Sequence, residues 1–390
     1  MLELNDTQKA IVETVRDFVE KDVIPVADEM ERRDEFPEAI FEQMKELGLF
    51  GLTVPEEFGG VGESLTTYAL TVVELARGWM SLSGVLNTHF MGCYLINKFG
   101  TDEQKQSFLP RMATGEVRAA LAMSEPEAGS DVQAIRTKAI RDGDDYVVNG
   151  QKMWLTNGLR AGLVMTLVKT NPEADPPHKG ISMLMVEKEP GEPKPAPGLD
   201  VGKNIDKMGY KGVETVEMSF SDYRIPTSSL LGAEEGQGFR QVLDGIEVGR
   251  VNVAARAVGL STRAFEEAIR YAQERKAFGK PISQHQAIQI HLAEMGTSLE
   301  AARLMLYSAA ERKSAAERSD LEAGMAKLFA SEACHEICLK ALRVHGGYGY
   351  SKEFTIERLY RDAPFLLIGE GTSEIQKTVI ARRLLEKHKT

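Results

Sequence analysis

Hydrophobic and polar positions change their rhythm twice along the chain. Up to about residue 120, apolar residues recur at spacings of three and four. Ile11, Val15, Phe18 and Val19 form one such stripe, and Leu70, Val73, Leu75 and Ala76 another, which predicts helices with one buried face. Pro25, Pro37, Pro55 and the cluster Gly59-Gly60-Val61-Gly62 punctuate them. From Leu121 to about Gly232 the rhythm shortens. Leu163 to Val168 and Ile181 to Val186 are strand-like runs, and Val216, Met218 and Phe220 alternate with polar residues at period two. Asn149-Gly150, flanked by Tyr146-Val147-Val148 and Gln151 to Thr156, predicts a hairpin turn. The Pro- and Gly-rich segment from Glu189 to Gly198 reads as a surface loop. From Gly238 onward the helical period returns. Ala257, Leu260, Ala264, Ala268 and Tyr271 make one stripe, while Leu299, Arg303, Leu306 and Ala310 begin another helix. Long alanine-rich helices pack closely in bundles, often across subunit contacts.

The expected fold is therefore α+β and mainly α: an N-terminal helical domain over 1–120, an antiparallel β domain over 121–232 and a C-terminal helical bundle over 233–390. No βαβ alternation and no Rossmann or P-loop motif is present. The glycines at 59–62 lack the strand before and the helix after that a dinucleotide fingerprint needs, so they read as a turn.

Composition narrows the classes. A chain of 390 residues with 43% hydrophobic content can bury a large core in two or three domains. A net charge of -11 and a pI near 5.4 argue against nucleic acid or an anionic membrane as main partner. Met1-Leu2-Glu3-Leu4-Asn5-Asp6 enters directly into a charged amphipathic pattern, and no apolar run approaches the roughly 20 residues that span a bilayer. Cys93, Cys334 and Cys338 are too few for a disulfide framework and suggest a reducing compartment. The expectation is a soluble, cytoplasmic protein. Cys334-His335-Glu336-Ile337-Cys338 matches no zinc or haem spacing and reads as one buried helix face, with no metal.

The candidate chemistry centres on Glu370, which ends the apolar run Ala363-Pro364-Phe365-Leu366-Leu367-Ile368-Gly369. Apolar neighbours disfavour a charged carboxylate and raise its pKa towards that of a useful proton acceptor, whereas an ordinary Glu before a helix would be solvated. Gly371 permits close backbone approach, and Thr372 or Ser373 can cap the following helix. Upstream, Met123-Ser124-Glu125-Pro126-Glu127-Ala128-Gly129-Ser130-Asp131 is either a polar loop or a cradle of small residues for a phosphate or ring. Alternation sends Trp154 and Thr156 to one face of a strand end, where the indole is either core or a platform for a heterocycle.

With these segments in view the chain resembles the acyl-CoA dehydrogenase family over nearly its whole length. The resemblance rests on Ala122 to Asp131, Gly150-Gln151-Lys152-Met153-Trp154-Leu155-Thr156-Asn157-Gly158, Glu274-Arg275-Lys276-Ala277-Phe278-Gly279, His345-Gly346-Gly347-Tyr348-Gly349-Tyr350 and Glu370-Gly371-Thr372-Ser373-Glu374-Ile375-Gln376, in that order. It implies FAD held between the β domain and the C-terminal helices, usually in a homotetramer. Leu121, Met123, Ser124, Trp154 and Thr156 would surround the isoalloxazine. Arg275, Phe278, Gln286 and Gly346-Gly347 would meet the pyrophosphate and adenine of a FAD bound mainly by a neighbouring subunit, and Thr372 and Glu374 would lie by the dinucleotide. Ser130, Glu247, Arg250 and Gly371 would contact an acyl-CoA. Glu370 would remove the α-proton while the β-hydrogen leaves as hydride, giving a trans-2-enoyl-CoA, with electrons passed to an electron-transferring flavoprotein.

Some family members place the base immediately before the position of Arg250; Gly249 stands there in this chain and cannot act as one. Two further positions depart from the family pattern. Gly369 replaces a frequent tyrosine, which either widens the pocket for a branched or otherwise bulky acyl group or merely relaxes a turn. Arg343 replaces glutamine or an acid ahead of the glycines, unsettling the adenine contact or offering a partner to the pyrophosphate. Alternative readings are an oxygen-using oxidase, a non-catalytic acyl-CoA-binding scaffold, and decarboxylation of a dicarboxylyl-CoA. The last needs a basic residue deep in the pocket, for which the region Asn87-Thr88-His89 offers only His89.

Overall fold

The computed structural model describes residues 4–315 and 319–389; Met1, Leu2 and Glu3 of the N-terminal stretch lie outside them. Among the described residues six α-helices come first: α1 (Asp6–Phe18), α2 (Ile24–Arg33), α3 (Glu38–Glu46), α4 (Leu65–Gly78), α5 (Met80–Phe99) and α6 (Asp102–Ala113). Local chemistry sets their starts. Asn5 and Gln8 form a capping box on α1, and the Ser64 hydroxyl accepts from Thr67 N at α4. α4 and α5 are buried nearly all round, which makes them central rather than surface helices. Trp79 separates them in an extended conformation, fully buried, with Nε1 donating to Glu31 Oε2 at 2.8 Å.

Seven strands follow: β1 (Ala119–Ala122), β2 (Lys138–Asp142), β3 (Asp145–Thr156), β4 (Leu163–Lys169), β5 (Ile181–Glu187), β6 (Leu199–Val201) and β7 (Thr215–Pro226). Their order is β1-β4-β2-β3-β7-β6, with β5 pairing β4. β4 and β5 are mostly apolar and buried up to their last residues, with only Thr166 and Ser182 interrupting them, because both of their faces are covered. Leu163, Met165 and Leu167 pack with Leu95, Leu109 and Met112 of α5 and α6, whereas Val164 and Val168 point into the core of the sheet with Val148, Leu155 and Val216. The segment Glu189 to Gly198 holds no helix or strand, as its composition predicts.

The chain closes with α7 (Gly238–Glu274), α8 (Gln286–Ser314), α9 (Asp320–His345), α10 (Ile356–Ile368) and α11 (Ser373–Lys387). Ala257, Leu260, Ala264 and Ala268 are fully buried, so α7 packs against its neighbours with little side-chain bulk between backbones. Cys334 and Cys338 are buried on α9, and among the described residues no His, Cys, Asp or Glu cluster could hold a metal. No helix among the described residues is long and apolar enough to cross a membrane.

Three expectations are corrected. The hairpin turn is at Gly143-Asp144, between paired Asp142 and Asp145, not at Asn149-Gly150. Asn149 instead exchanges hydrogen bonds with Asp222 across to β7, and Gly150 makes a bulge where a side chain would strike Thr137. The sheet is mixed rather than antiparallel. β1 runs parallel to β4, the long segment between them supplying the crossover that parallel neighbours need. The helix expected to begin near Leu299 begins at Gln286, and Ile288, Leu292 and Met295 carry its apolar stripe back through those first turns.

Candidate active site

The apolar run of α10 ends where Gly369 leaves the helix (φ -63°, ψ 143°). Glu370 and Gly371 then take φ of 53° and 93°, and only the second is free of side-chain strain. Two buried side chains hold this turn: Lys327 Nζ donates to Gly371 O at 2.7 Å, and Gln376 Nε2 to Glu370 O at 3.3 Å. The Thr372 hydroxyl caps α11 by accepting from Ile375 N. The turn sends the Glu370 side chain inward, between α5 and α7, leaving it 19% exposed.

Asn87 on α5 donates a short hydrogen bond to Glu370 Oε1. Oε2 is buried without a hydrogen-bond partner among the described residues and lies directly over Gly249 of α7, where any side chain would overlap it. Arg256 Nη2 stands 3.8 Å from Oε1. Burial pushes the carboxyl above its usual range, and Arg256, the Asn87 bond, Lys327 and Arg250 pull it part of the way back. Lys327 is itself lowered to about 8 by burial, against the opposing pull of Glu370. In the role that the resemblance implies for it, Glu370 must be ionised to accept a proton, so the rate of α-proton removal is expected to rise as pH climbs through this elevated Glu370 pKa and to flatten above it. Asn87→Leu removes a bond that favours the ionised form and should move that acid limb to higher pH. Single-turnover rates measured against pH check both, and a limb in the ordinary carboxylate range would contradict them.

The residues assigned to the isoalloxazine also converge. Met153 N donates to Ser124 O at 2.9 Å, and the buried Lys152 Nζ reaches Met123 O at 3.2 Å and Glu125 at 2.7 Å. Glu125 is in turn bonded by Arg136 N and Thr137 N. This lacing sets Leu121, Met123 and Ser124, all half-buried, beside the end of β3. There Trp154 sits at a bulge with φ 66°, turned out to 56% exposure rather than packed as core. An exposed indole beside half-buried apolar and hydroxyl groups fits one face of a flat heterocycle. Thr156 lies close enough to Tyr210 to act on its phenol, and the Tyr210 hydroxyl accepts from Arg256 Nη1 at 3.3 Å, so this strand end borders the surroundings of Glu370.

Arg275, Phe278, Gly346 and Gly347 line a separate open pocket of about 750 Å³, with the Arg275 guanidinium 5.6 Å from the centre of the Tyr348 ring. Gln286, at the start of α8, and Arg343, near the end of α9, are exposed and outside its walls. Glu374 lies in the first turn of α11. Ser130 is exposed on the loop after β1. Glu247 is held by Lys313 at 3.1 Å and Ser319 at 3.0 Å, and Arg250 is largely buried with its Nε unpartnered.

His89 is a core residue: its Nε2 meets Phe50 O at 3.1 Å, and burial lowers it to about 4. A side chain at Gly369 would press on the Phe365 ring at 2.9 Å, so that ring stands in the space such a side chain would enter. Sequence reasoning missed Asn87, Lys327, Tyr210 and Arg256. Gly249, Asn252 and Arg256 at helical spacing could have revealed the last; nothing local marks Asn87.

The family profiles "Acyl-CoA dehydrogenase, N-terminal domain", "middle domain" and "C-terminal domain" match residues 5–116, 120–223 and 236–385. The chain is 42% identical over 386 residues to the probable acyl-CoA dehydrogenase YngJ of Bacillus subtilis, covering 98% of this chain and 99% of that one. It is 41% identical to the mitochondrial short-chain specific acyl-CoA dehydrogenase of Bos taurus, covering all of this chain and 92% of the other. The butyryl-CoA dehydrogenase of Megasphaera elsdenii superposes with a TM-score of 0.94 at 33% identity, covering 99% of this chain and all of that one. With its three-part fold and an inward-facing glutamate at the end of α10, the chain belongs to the acyl-CoA dehydrogenase family, oxidoreductases that depend on FAD.

Proposed function

We propose that this protein dehydrogenates a short acyl-CoA at its α,β-bond, with Glu370 as the base that takes the α-proton. The observation that carries this reading is the unpartnered Oε2: a buried carboxylate oxygen with a free lone pair, while its twin is tied to Asn87. A thioester α-hydrogen is a weak acid, so its removal needs a positioned, desolvated base and a polarised carbonyl. The backbone N–H of Glu370 has no acceptor among the described residues and is free to donate to that carbonyl. The bound flavin supplies the acceptor for the β-hydrogen. Met123, Ser124, Trp154 and Thr156 would hold its ring, with Thr156 beside the accepting nitrogen, and Arg275, Phe278 and the Gly346-Gly347 turn would meet the dinucleotide's other end. Arg250, with Glu247, Ser130 and Gly371, would orient the acyl-CoA, and closure around it excludes water.

Phe278 is 95% exposed and Tyr350 89%, an apolar surface beside the dinucleotide pocket that fits cover by further copies of the chain in a homotetramer. Electrons would pass to an electron-transferring flavoprotein. The test is anaerobic mixing of the flavin-loaded protein with short acyl-CoAs: bleaching of the yellow colour is expected. Absence of bleaching with any thioester sinks the reading, and rapid peroxide formation in air would reassign the acceptor to oxygen.

A further inference from the structure

Arg256 is the largest buried group near Glu370 that proton abstraction does not use. It is 2% exposed, on the same face of α7 as Gly249 and Asn252. Side chains on a helix lean towards its N-terminus, so the guanidinium reaches back along α7 to the level of Gly249, where the Glu370 carboxylate lies. Burying a cation is costly unless an anion compensates it. Yet its hydrogen-bond partners are neutral: Asn252 Oδ1 at 2.6 Å and the Tyr210 hydroxyl at 3.3 Å. Its one ion-pair contact among the described residues is Glu370, at 3.8 Å, beyond hydrogen-bond reach. Glu370 gives that same oxygen to Asn87 instead. A guanidinium kept simply as a counter-ion would close into a forked pair with the carboxylate, and this one does not.

The cradle around Arg256 is built to keep it in place. Asn252 accepts from Arg256 Nε and donates to the Tyr68 hydroxyl at 2.7 Å, leaving the Tyr68 O–H proton to donate. Tyr68 stacks on Phe90 at 4.1 Å, and Tyr210 on Phe365 at 4.6 Å. The Tyr210 hydroxyl rests over Gly84, at a point where any side chain would collide with it. Rigid aromatics thus fix both neutral partners, and the charge of Arg256 stays only loosely compensated. Lys327 and Arg250 add further positive charge near Glu370, although Lys327 also faces Glu332 and Glu374, and Arg250 faces Glu247 and Asp320.

We propose that Arg256, oriented by Asn252 and Tyr210 and seconded by Tyr68, recognises an anionic group at the far end of the acyl chain, so that the substrate is the CoA monothioester of a short dicarboxylic acid. The inference rests on the dehydrogenase reading and deepens it. The chain must be short, because the cation stands 3.8 Å from the same carboxylate that takes the α-proton. A carboxylate placed there completes the fork that Glu370 leaves open.

The experiment uses the flavin-loaded enzyme with two matched pairs of thioesters: glutaryl-CoA against pentanoyl-CoA, and succinyl-CoA against butyryl-CoA. The wild-type protein is expected to favour the acidic member of at least one pair by about 30-fold or more in kcat/KM. Arg256→Gln should collapse that ratio, and Arg256→Lys, which keeps the charge but not the fork, should restore part of it. A wild-type preference for the neutral members overturns the recognition site and leaves the dehydrogenase standing. An equal fall of both members in Arg256→Gln, with the acid limb of the pH profile displaced, also overturns it and makes Arg256 a partner of Glu370 alone. The wild-type ratio decides the matter even if a variant fails to fold. Failure of every acyl-CoA to bleach the flavin is a different result, because it removes the parent reading.

Discussion

Glu370→Gln is expected to bind FAD and thioester normally and to remove the α-proton at least about two orders of magnitude more slowly. The amide is close to isosteric with the carboxylate, so the turn held by Lys327 and Gln376 survives. Its failing is chemical: the oxygen or nitrogen set at the Oε2 position no longer has basic strength. The measurement is stopped-flow bleaching under anaerobic conditions, with the spectral shift on thioester binding as the control. Bleaching at the wild-type rate would remove Glu370 from the mechanism. If binding and bleaching fell together, the residue would be structural. Burial of Glu370 makes a further consequence testable, because a neutral Gln suffers none of the desolvation that raises the acid's pKa. The variant should therefore be at least as stable as the parent towards heat.

Gly249→Ala should be nearly as damaging to turnover, by about 100-fold, although it adds one methyl group far in sequence from the proposed base, Glu370. That methyl would overlap Glu370 Oε2. α7 is fixed by packing along its length, so the carboxylate must yield, rotating away from Asn87 and from the substrate. Alanine is otherwise the better helix former by about 1 kcal/mol, so stability should change little while kcat falls. Melting temperature and bleaching rate measured on the same preparation separate the two effects. Wild-type turnover in this variant would show that Glu370 works from another position. The same geometry leaves no room for a carboxylate side chain at position 249 while Glu370 keeps its place.

The order of helical, β and helical segments was legible because each has its own period, and periods are local properties of a chain. Glu370 was legible for a related reason. An apolar run followed by Glu, Gly and a capping Thr specifies a helix end, a tight turn and a new helix, and the structure shows α10, the turn and α11 in those places. Where the reading failed, two local signals competed. Asp142-Gly143 and Asn149-Gly150 both favour turns, and only pairing with β7 shows that the second lies inside a strand. Trp154 likewise departed from simple alternation because a bulge shifts the register between Lys152 and Leu155.

The sequence by itself thus determined which elements form, where they stop, and that a carboxylate would stand at one of those stops. Only the tertiary structure decided what that carboxylate faces. Asn87 and Glu370 are 283 residues apart, and no local pattern records that α5 and the turn after α10 meet. The buried cation on α7 and the bare Cα of Gly249 acquire meaning from the same encounter. Which helix faces oppose one another is fixed by packing of the whole core, a property of the folded chain that no window of residues contains.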